Sequence, residues 1–246
     1  YAIVGARYDD DNGISSGSAY IFQRSSSDWI ELAKLTPADG YSDDQFGFSV
    51  AISGDYAIVG AYQDDDNGSN SGSAYIFQRS GSEWIELDKL TPADGYIDDR
   101  FGWSVAISGD YAIVGAYGDD DNGSDSGSAY IFQRSGSDWT EQAKLKPADG
   151  YHWDYFGYSV AISGDYAIVG AYGDDDSGYN SGSAYLFQRS GSDWTEQVKL
   201  VPSDGDSSDN FGYSVAISGD YAIVGADHDD DNSNDSGSAY IFQREG

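Results

Sequence analysis

The hexapeptide Tyr-Ala-Ile-Val-Gly-Ala begins at Tyr1, Tyr56, Tyr111, Tyr166 and Tyr221, a spacing of 55 residues every time. Around it recur Phe-Gly-x-Ser-Val-Ala-Ile-Ser-Gly-Asp (from Phe46, Phe101, Phe156 and Phe211), a run of three Asp, and Ser-Gly-Ser-Ala-Tyr-Ile/Leu-Phe-Gln-Arg. A Trp-initiated stretch ending in Lys-Leu and a Pro-Ala/Ser-Asp-Gly turn complete the unit. Self-similarity at a fixed period means that one supersecondary unit is stacked on copies of itself.

Each unit holds four short runs rich in Val, Ile, Tyr, Phe and Trp, separated by Gly, Ser, Asp and Pro, the pattern of strands and turns. In the second unit these are Phe46 to Ser53, Tyr56 to Ala61, Gly72 to Arg79 and Trp84 to Leu90. The first three are apolar or small on both faces, as for strands packed between two neighbours. The fourth mixes Glu86, Asp88 and Lys89 with Trp84, Leu87 and Leu90, as for an exposed edge. Ser53-Gly54-Asp55 predicts a tight hairpin turn between the first pair. The expectation is an all-β fold, a β-propeller of four-stranded antiparallel blades. Counting strands gives about five blades in one repeat domain, residues 1–246. Their approximate ranges are 1–45 (without its first strand), 46–100, 101–155, 156–210 and 211–246 (without its fourth). The raw ends are expected to be completed by further sequence or by another copy, so self-association is expected there.

Phe-Gly-x-Ser-Val-Ala-Ile-Ser-Gly-Asp-Tyr-Ala-Ile-Val-Gly-Ala resembles the FG-GAP repeat of integrin α-chain propellers and of many bacterial surface proteins. Gly60-Ala61 stands where the family has Gly-Ala-Pro, and the resemblance covers the whole chain. Integrin-type blades carry a calcium loop of the form Asp-x-Asp-Gly-x-x-Asp between their first two strands. Here Ser53-Gly54-Asp55 takes that place and is too short to wrap a cation. The resemblance is to a bacterial subtype without the loop, so it does not itself imply calcium.

The chain carries 12 Lys plus Arg against 43 Asp plus Glu, a formal charge of −31. That repels phosphate and excludes a nucleic-acid partner. No apolar run is long enough to insert in a membrane, and with no Cys the redox compartment is undetermined. The first residues lack the basic and apolar regions of a signal peptide. The chain starts without Met and is read as a processed piece. Acidity and the family resemblance together imply a secreted or cell-surface protein.

Antiparallel strands send alternate loops to opposite faces, and the loops after the second and fourth strands of each unit collect most of the carboxylates. Oxygen donors there recur at alternate positions: Asp9 and Asp11; Asp64, Asp66 and Asn70; Asp119, Asp121 and Asp125; Asp174, Asp176 and Asn180; Asp229, Asp231 and Asp235. Such sets can supply several of the six to eight oxygens that calcium takes, which makes calcium the candidate cofactor. The alternative is a solvated acidic loop that serves solubility. Asp44, Asp99, Asp154 and Asp209, ahead of each Phe-Gly, read as turn caps. Tyr62, Tyr117, Tyr172, Tyr96, Tyr151 and Trp153 accompany the carboxylates and are candidate ligand-binding residues. Tyr beside Asp can stack on a sugar while bonding its hydroxyls, as fungal lectins with integrin-like propellers do by resemblance; alternatively the rings pack between blades.

No catalytic residue is identified, because paired acids need unlike environments and this chain repeats the same acids in every unit. Near-identical surfaces suit multivalent binding. The expected function is a non-enzymatic adhesion or recognition module with protein or glycan ligands at the acidic, Tyr-rich face. A structural spacer or self-assembling unit and a carbohydrate-binding lectin are the alternatives.

Overall fold

In the computed structural model, which describes residues 1–230, 233 and 235–244, every regular element among the described residues is a β-strand. The first sheet contains β1 (Ala2–Ala6), β2 (Ser18–Ser25) and β3 (Asp28–Leu35). The second contains β4 (Ser49–Ser53), β5 (Tyr56–Ala61), β6 (Ser73–Ser80) and β7 (Glu83–Leu90). The third contains β8 (Ser104–Ser108), β9 (Tyr111–Ala116), β10 (Ser128–Ser135) and β11 (Asp138–Leu145). The fourth contains β12 (Ser159–Ser163), β13 (Tyr166–Ala171), β14 (Ser183–Ser190) and β15 (Asp193–Leu200). The fifth contains β16 (Phe211–Ser218), β17 (Tyr221–Ala226) and β18 (Ser238–Gln243). All pairings are antiparallel meanders, and among the described residues no strand pairing joins the first sheet to the last.

The expected strand from Phe46 is shorter than its sequence pattern. Phe46, Phe101 and Phe156 each form an isolated parallel bridge to the preceding sheet, at Gly17, Gly72 and Gly127, before the ladder begins at the Ser three residues on. The Phe101 amide donates to Ser71 O at 3.0 Å, and Ser49 Oγ donates to Gly102 O at 2.7 Å. The Phe-Gly pair therefore fastens one sheet to the one before it.

Strand alternation divides the apolar residues between neighbouring cores. Ile58 and Ile76 face the third sheet and pack with Val105, Ile107 and Val114, while Val59 faces the first sheet and packs with Ala19 and Ile21. Equivalent cores lie between the third and fourth sheets and between the fourth and fifth. Burying a Val or Ile side chain contributes about 1.5–3 kcal/mol, so each sheet depends on its two neighbours. The outer strand is held by more than edge pairing. Trp84, Trp139 and Trp194 reach back to Tyr1, Tyr56 and Tyr111 of the preceding sheet, edge-on with ring centroids 5.9, 6.0 and 6.1 Å apart.

Candidate functional site

The acidic loops and the strand ends that carry them form a site with an internal cation. Asp64, Asp119 and Asp174 follow the second strand of their sheets and are buried. Each accepts a hydrogen bond at 2.8 Å from a buried tyrosine hydroxyl, that of Tyr75, Tyr130 and Tyr185 respectively. The same tyrosine hydroxyl shares its one proton with the Asp of the preceding turn, Asp39, Asp94 or Asp149, whose oxygen lies 3.0 Å away. The seventh residue of the outer strand then places its ammonium among these carboxylates. Lys89 Nζ lies 2.8, 3.0 and 2.6 Å from Asp39, Asp64 and Asp66. Lys144 repeats this with Asp94, Asp119 and Asp121 at 2.8, 2.8 and 2.7 Å. Lys199 does so with Asp149, Asp174 and Asp176 at 2.9, 2.7 and 2.5 Å. In the first sheet Lys34 pairs with Asp9, at 3.1 Å, and with Asp11.

These contacts set the local protonation. Burial pushes Asp39, Asp94 and Asp149 up, but hydrogen bonds from the lysine and the tyrosine outweigh it and their pKa values fall below the ordinary 3.8. Asp9 is held at about 2 by the Tyr20 hydroxyl and by Lys34. Burial opposes the charge on Lys89, Lys144 and Lys199, yet three carboxylates each raise it above 10.5. Tyr75, Tyr130 and Tyr185 are raised well above 10 by burial and by the facing aspartates.

The other proposed donors lie elsewhere in the loop. The Asn70, Asp125, Asn180 and Asp235 amides bond to Asp65, Asp120, Asp175 and Asp230, at 2.8, 2.7, 2.6 and 2.6 Å. All four residues have positive φ, the left-handed conformation that Asn and Asp tolerate best. The Asn70 side chain bonds Asp98 at 2.8 Å. Asp229 accepts from Tyr240 at 2.6 Å and is buried, and Asp231 lies outside the described residues. Calcium needs six to eight oxygens with spare lone pairs. On Asp64 one oxygen accepts from the Asp66 amide and the Ser73 hydroxyl, and the other from Tyr75 and Lys89. With an ammonium already at the focus, the donor set of the complete repeats does not fit a calcium ion.

Asp44, Asp99, Asp154 and Asp209 accept from the amide three residues earlier, at 2.6 to 2.7 Å, as turn caps do. Burial, opposed by that amide bond and assisted by the charges of Asp64, Asp119 and Asp174, raises Asp44, Asp99 and Asp154 to about 6, 7 and 6.

The aromatic candidates divide into two groups. Tyr62, Tyr117 and Tyr172 join a continuous row with the residues between Phe-Gly and Ser: Phe48, Trp103, Tyr158 and Tyr213. Ring centroids along it are 4.4 Å (Phe48 to Trp103), 5.3 Å (Trp103 to Tyr158) and 5.0 Å (Tyr158 to Tyr213). Tyr62, Tyr117 and Tyr172 fill the angles between these rings, so they pack from sheet to sheet. Most rings in the row are half-buried, and Tyr213 at its end is exposed. The sequence reading passed over Phe48, Trp103, Tyr158 and Tyr213, although the signal was legible: the variable position of Phe-Gly-x-Ser is aromatic each time. Tyr96, Tyr151 and Trp153 stand outside the row on exposed loops, where His152 lies between Tyr151 and Trp153.

Comparison with known families finds similarity to the FG-GAP repeat over residues 1–22, 29–77, 84–132, 139–187 and 194–242. Each full match runs from an outer-strand Trp to the Phe of the third strand in the next sheet, so the family's sequence unit straddles two sheets. No curated protein matches the chain.

Proposed function

The chain belongs to the FG-GAP repeat family, and on that premise we propose that its five sheets are the blades of a propeller-like array acting as a non-enzymatic recognition module. Repeats of this family are in general non-enzymatic. The observation that carries the reading is the row of half-exposed rings from Phe48 to Tyr213, which crosses four sheets beside the acidic loops. Aromatic faces give contact area at low entropic cost, and neighbouring carboxylates give directional acceptors for hydroxyl or amide donors. Protein and glycan ligands both fit that chemistry. The Lys-centred loops support a reading in which calcium is dispensable. Acidity and the family resemblance support a secreted or cell-surface setting.

The test is a glycan and protein binding screen run with and without chelator, on the wild-type chain and on Trp103→Ala with Tyr158→Ala. Loss of a hit in the double variant with unchanged thermal stability supports the row as the binding surface. Hits that survive it overturn that assignment.

A further inference from the structure

The ring between Phe-Gly and Ser changes along the aromatic row, and two phenols meet where the fourth sheet adjoins the fifth. Phe48 meets Trp103 and Trp103 meets Tyr158, but Tyr158 meets Tyr213, with ring centroids 5.0 Å apart and planes at 44°. The Tyr158 hydroxyl donates to that of Tyr213 at 3.3 Å. The ortho carbons of a phenol flank the carbon that bears its oxygen, so bonded hydroxyls bring the ortho carbons of both rings to facing edges. We propose that Tyr158 and Tyr213 are an oxidative cross-linking site, where a one-electron oxidant such as a peroxidase intermediate converts them to a dityrosine that joins the two sheets. The chain has no Cys with which a disulfide could make such a bond.

The reaction takes two one-electron oxidations. In each, a ring loses one electron to the oxidant and its hydroxyl proton to water, leaving a neutral phenoxyl radical whose unpaired electron is shared with the ortho carbons. The two radicals pair as one carbon–carbon bond. The hydrogen on each bonded carbon then moves to its oxygen and restores both hydroxyls, so the net loss is two electrons and two protons. Burial and the bond to Tyr213 raise the Tyr158 hydroxyl above 10, and it enters as the protonated phenol. The bond closes a loop of 55 residues and restricts the unfolded chain as a disulfide does.

The surrounding rings lead oxidation toward the pair. Trp103 lies 5.3 Å from Tyr158, and Tyr172 lies 4.5 Å from Tyr158 and 5.7 Å from Tyr213. An electron vacancy passes readily between rings this close, and at neutral pH it comes to rest on tyrosine rather than tryptophan. Tyr155 and Tyr172 are the competing pair, stacked 5.1 Å apart with planes at 11°. Among the described residues no bond joins their hydroxyls to set their ortho carbons together. The cross-link needs no ligand on the row and so stands apart from the recognition reading.

The test illuminates the dilute 246-residue chain with tris(bipyridine)ruthenium(II) and persulfate, which generate a one-electron oxidant, and digests the monomer fraction with trypsin. Tyr158 and Tyr213 lie in different tryptic peptides, residues 145–189 and 200–244, whereas Tyr155 and Tyr172 share the first. The expected product is these two peptides linked, two hydrogen atoms lighter than their sum, with dityrosine fluorescence and with fragmentation placing the bond at Tyr158 and Tyr213. Tyr213→Phe keeps the ring and should lose the product, while Tyr155→Phe should retain it. The wild-type peptide map stands whether or not a variant folds. Absence of the linked peptides, a main cross-link within residues 145–189, or an undiminished yield in Tyr213→Phe overturns the proposal.

Discussion

Lys144 is the residue on which the acidic face turns. Its ammonium stands among Asp94, Asp119 and Asp121, and Asp119 is buried. Removing one partner of a buried ion pair leaves an uncompensated charge, which costs about 3 kcal/mol or more. Lys144→Met is therefore expected to lower the unfolding free energy in urea titrations clearly, whereas Lys146→Met, which removes an exposed contact to Asp121, should change it by less than about 0.5 kcal/mol. Scans in calcium, magnesium and sodium at matched ionic strength should give one melting temperature; a calcium-specific rise would revive the metal reading. The acids were legible as repeated donors in the sequence, but their neutralising cation was not. Lys144 is 25 residues beyond Asp119 and 50 beyond Asp94, and only the pairing of the outer strand brings them together. A pH dependence follows from the turn caps. Asp44, Asp99 and Asp154 bind protons more tightly in the folded chain, at about 6, 7 and 6, than at the ordinary 3.8. The folded state thus holds more protons between these values, and stability falls as pH rises from about 4 to about 7. Asp9, Asp39, Asp94 and Asp149 shift downward, so their contribution is lost as pH falls below 3.8. Maximum stability is expected at about pH 4–5. The triple variant with Asp44, Asp99 and Asp154 changed to Asn should flatten the slope between about pH 4 and 7; an unaltered slope would assign it to general charge repulsion instead.

At the scale of elements, the close approach of successive sheets rests on glycine. A Cβ added at Gly115 in β9 would stand 2.0 Å from Gly157 O of the next sheet, and one at Gly60 in β5 equally close to Gly102 O. At Gly225 in β17 the nearest obstacle among the described residues is the rotatable Ser214 hydroxyl at 2.5 Å. Gly115→Ala is expected to destabilise by about 1–3 kcal/mol or more through overpacking. Gly225→Ala, the same change in the same hexapeptide, should cost under about 1 kcal/mol. Equal losses in urea titrations would contradict the sheet-to-sheet contact as the reason for the motif. The strands themselves were readable because Val, Ile, Tyr and Phe runs end at Gly and Asp turns, and Tyr56 to Ala61 has the bounds the sequence suggested. Phe46 to Phe48 were misread as ladder because the same Phe-Gly pair that looks like a strand start pairs with Gly17 of the preceding sheet. Apolar alternation gives no sign of which sheet a residue will join.

For the whole molecule, the repeat period made five units plain, but it does not say whether the ends meet, since closure depends on small rotations between sheets that no residue pattern encodes. The end faces do carry a signature. Val4 is 52% exposed where Val59, Val114 and Val169 are fully buried, and Ile241 is 72% exposed where Ile76 and Ile131 are fully buried. Inside the array the face of Ile58 and Ile76 packs on Val114, and Tyr56 meets Trp139. Among the described residues the last sheet exposes Ile223, Ile241 and Tyr221 and the first exposes Val4 and Trp29, so the two outward faces are complementary. Contact between unlike patches is heterologous and continues until a ring closes or a filament grows. The chain is therefore expected to gain mass with concentration in light scattering. Ile241→Glu and Val4→Glu should each be monomeric alone, since each spoils one end. Mixed, they should form a complex of two chains that grows no further, because the Ile241→Glu chain still offers Val4 and the Val4→Glu chain still offers Ile241. A single concentration-independent mass for the wild-type chain would mean that its ends do not recognise one another.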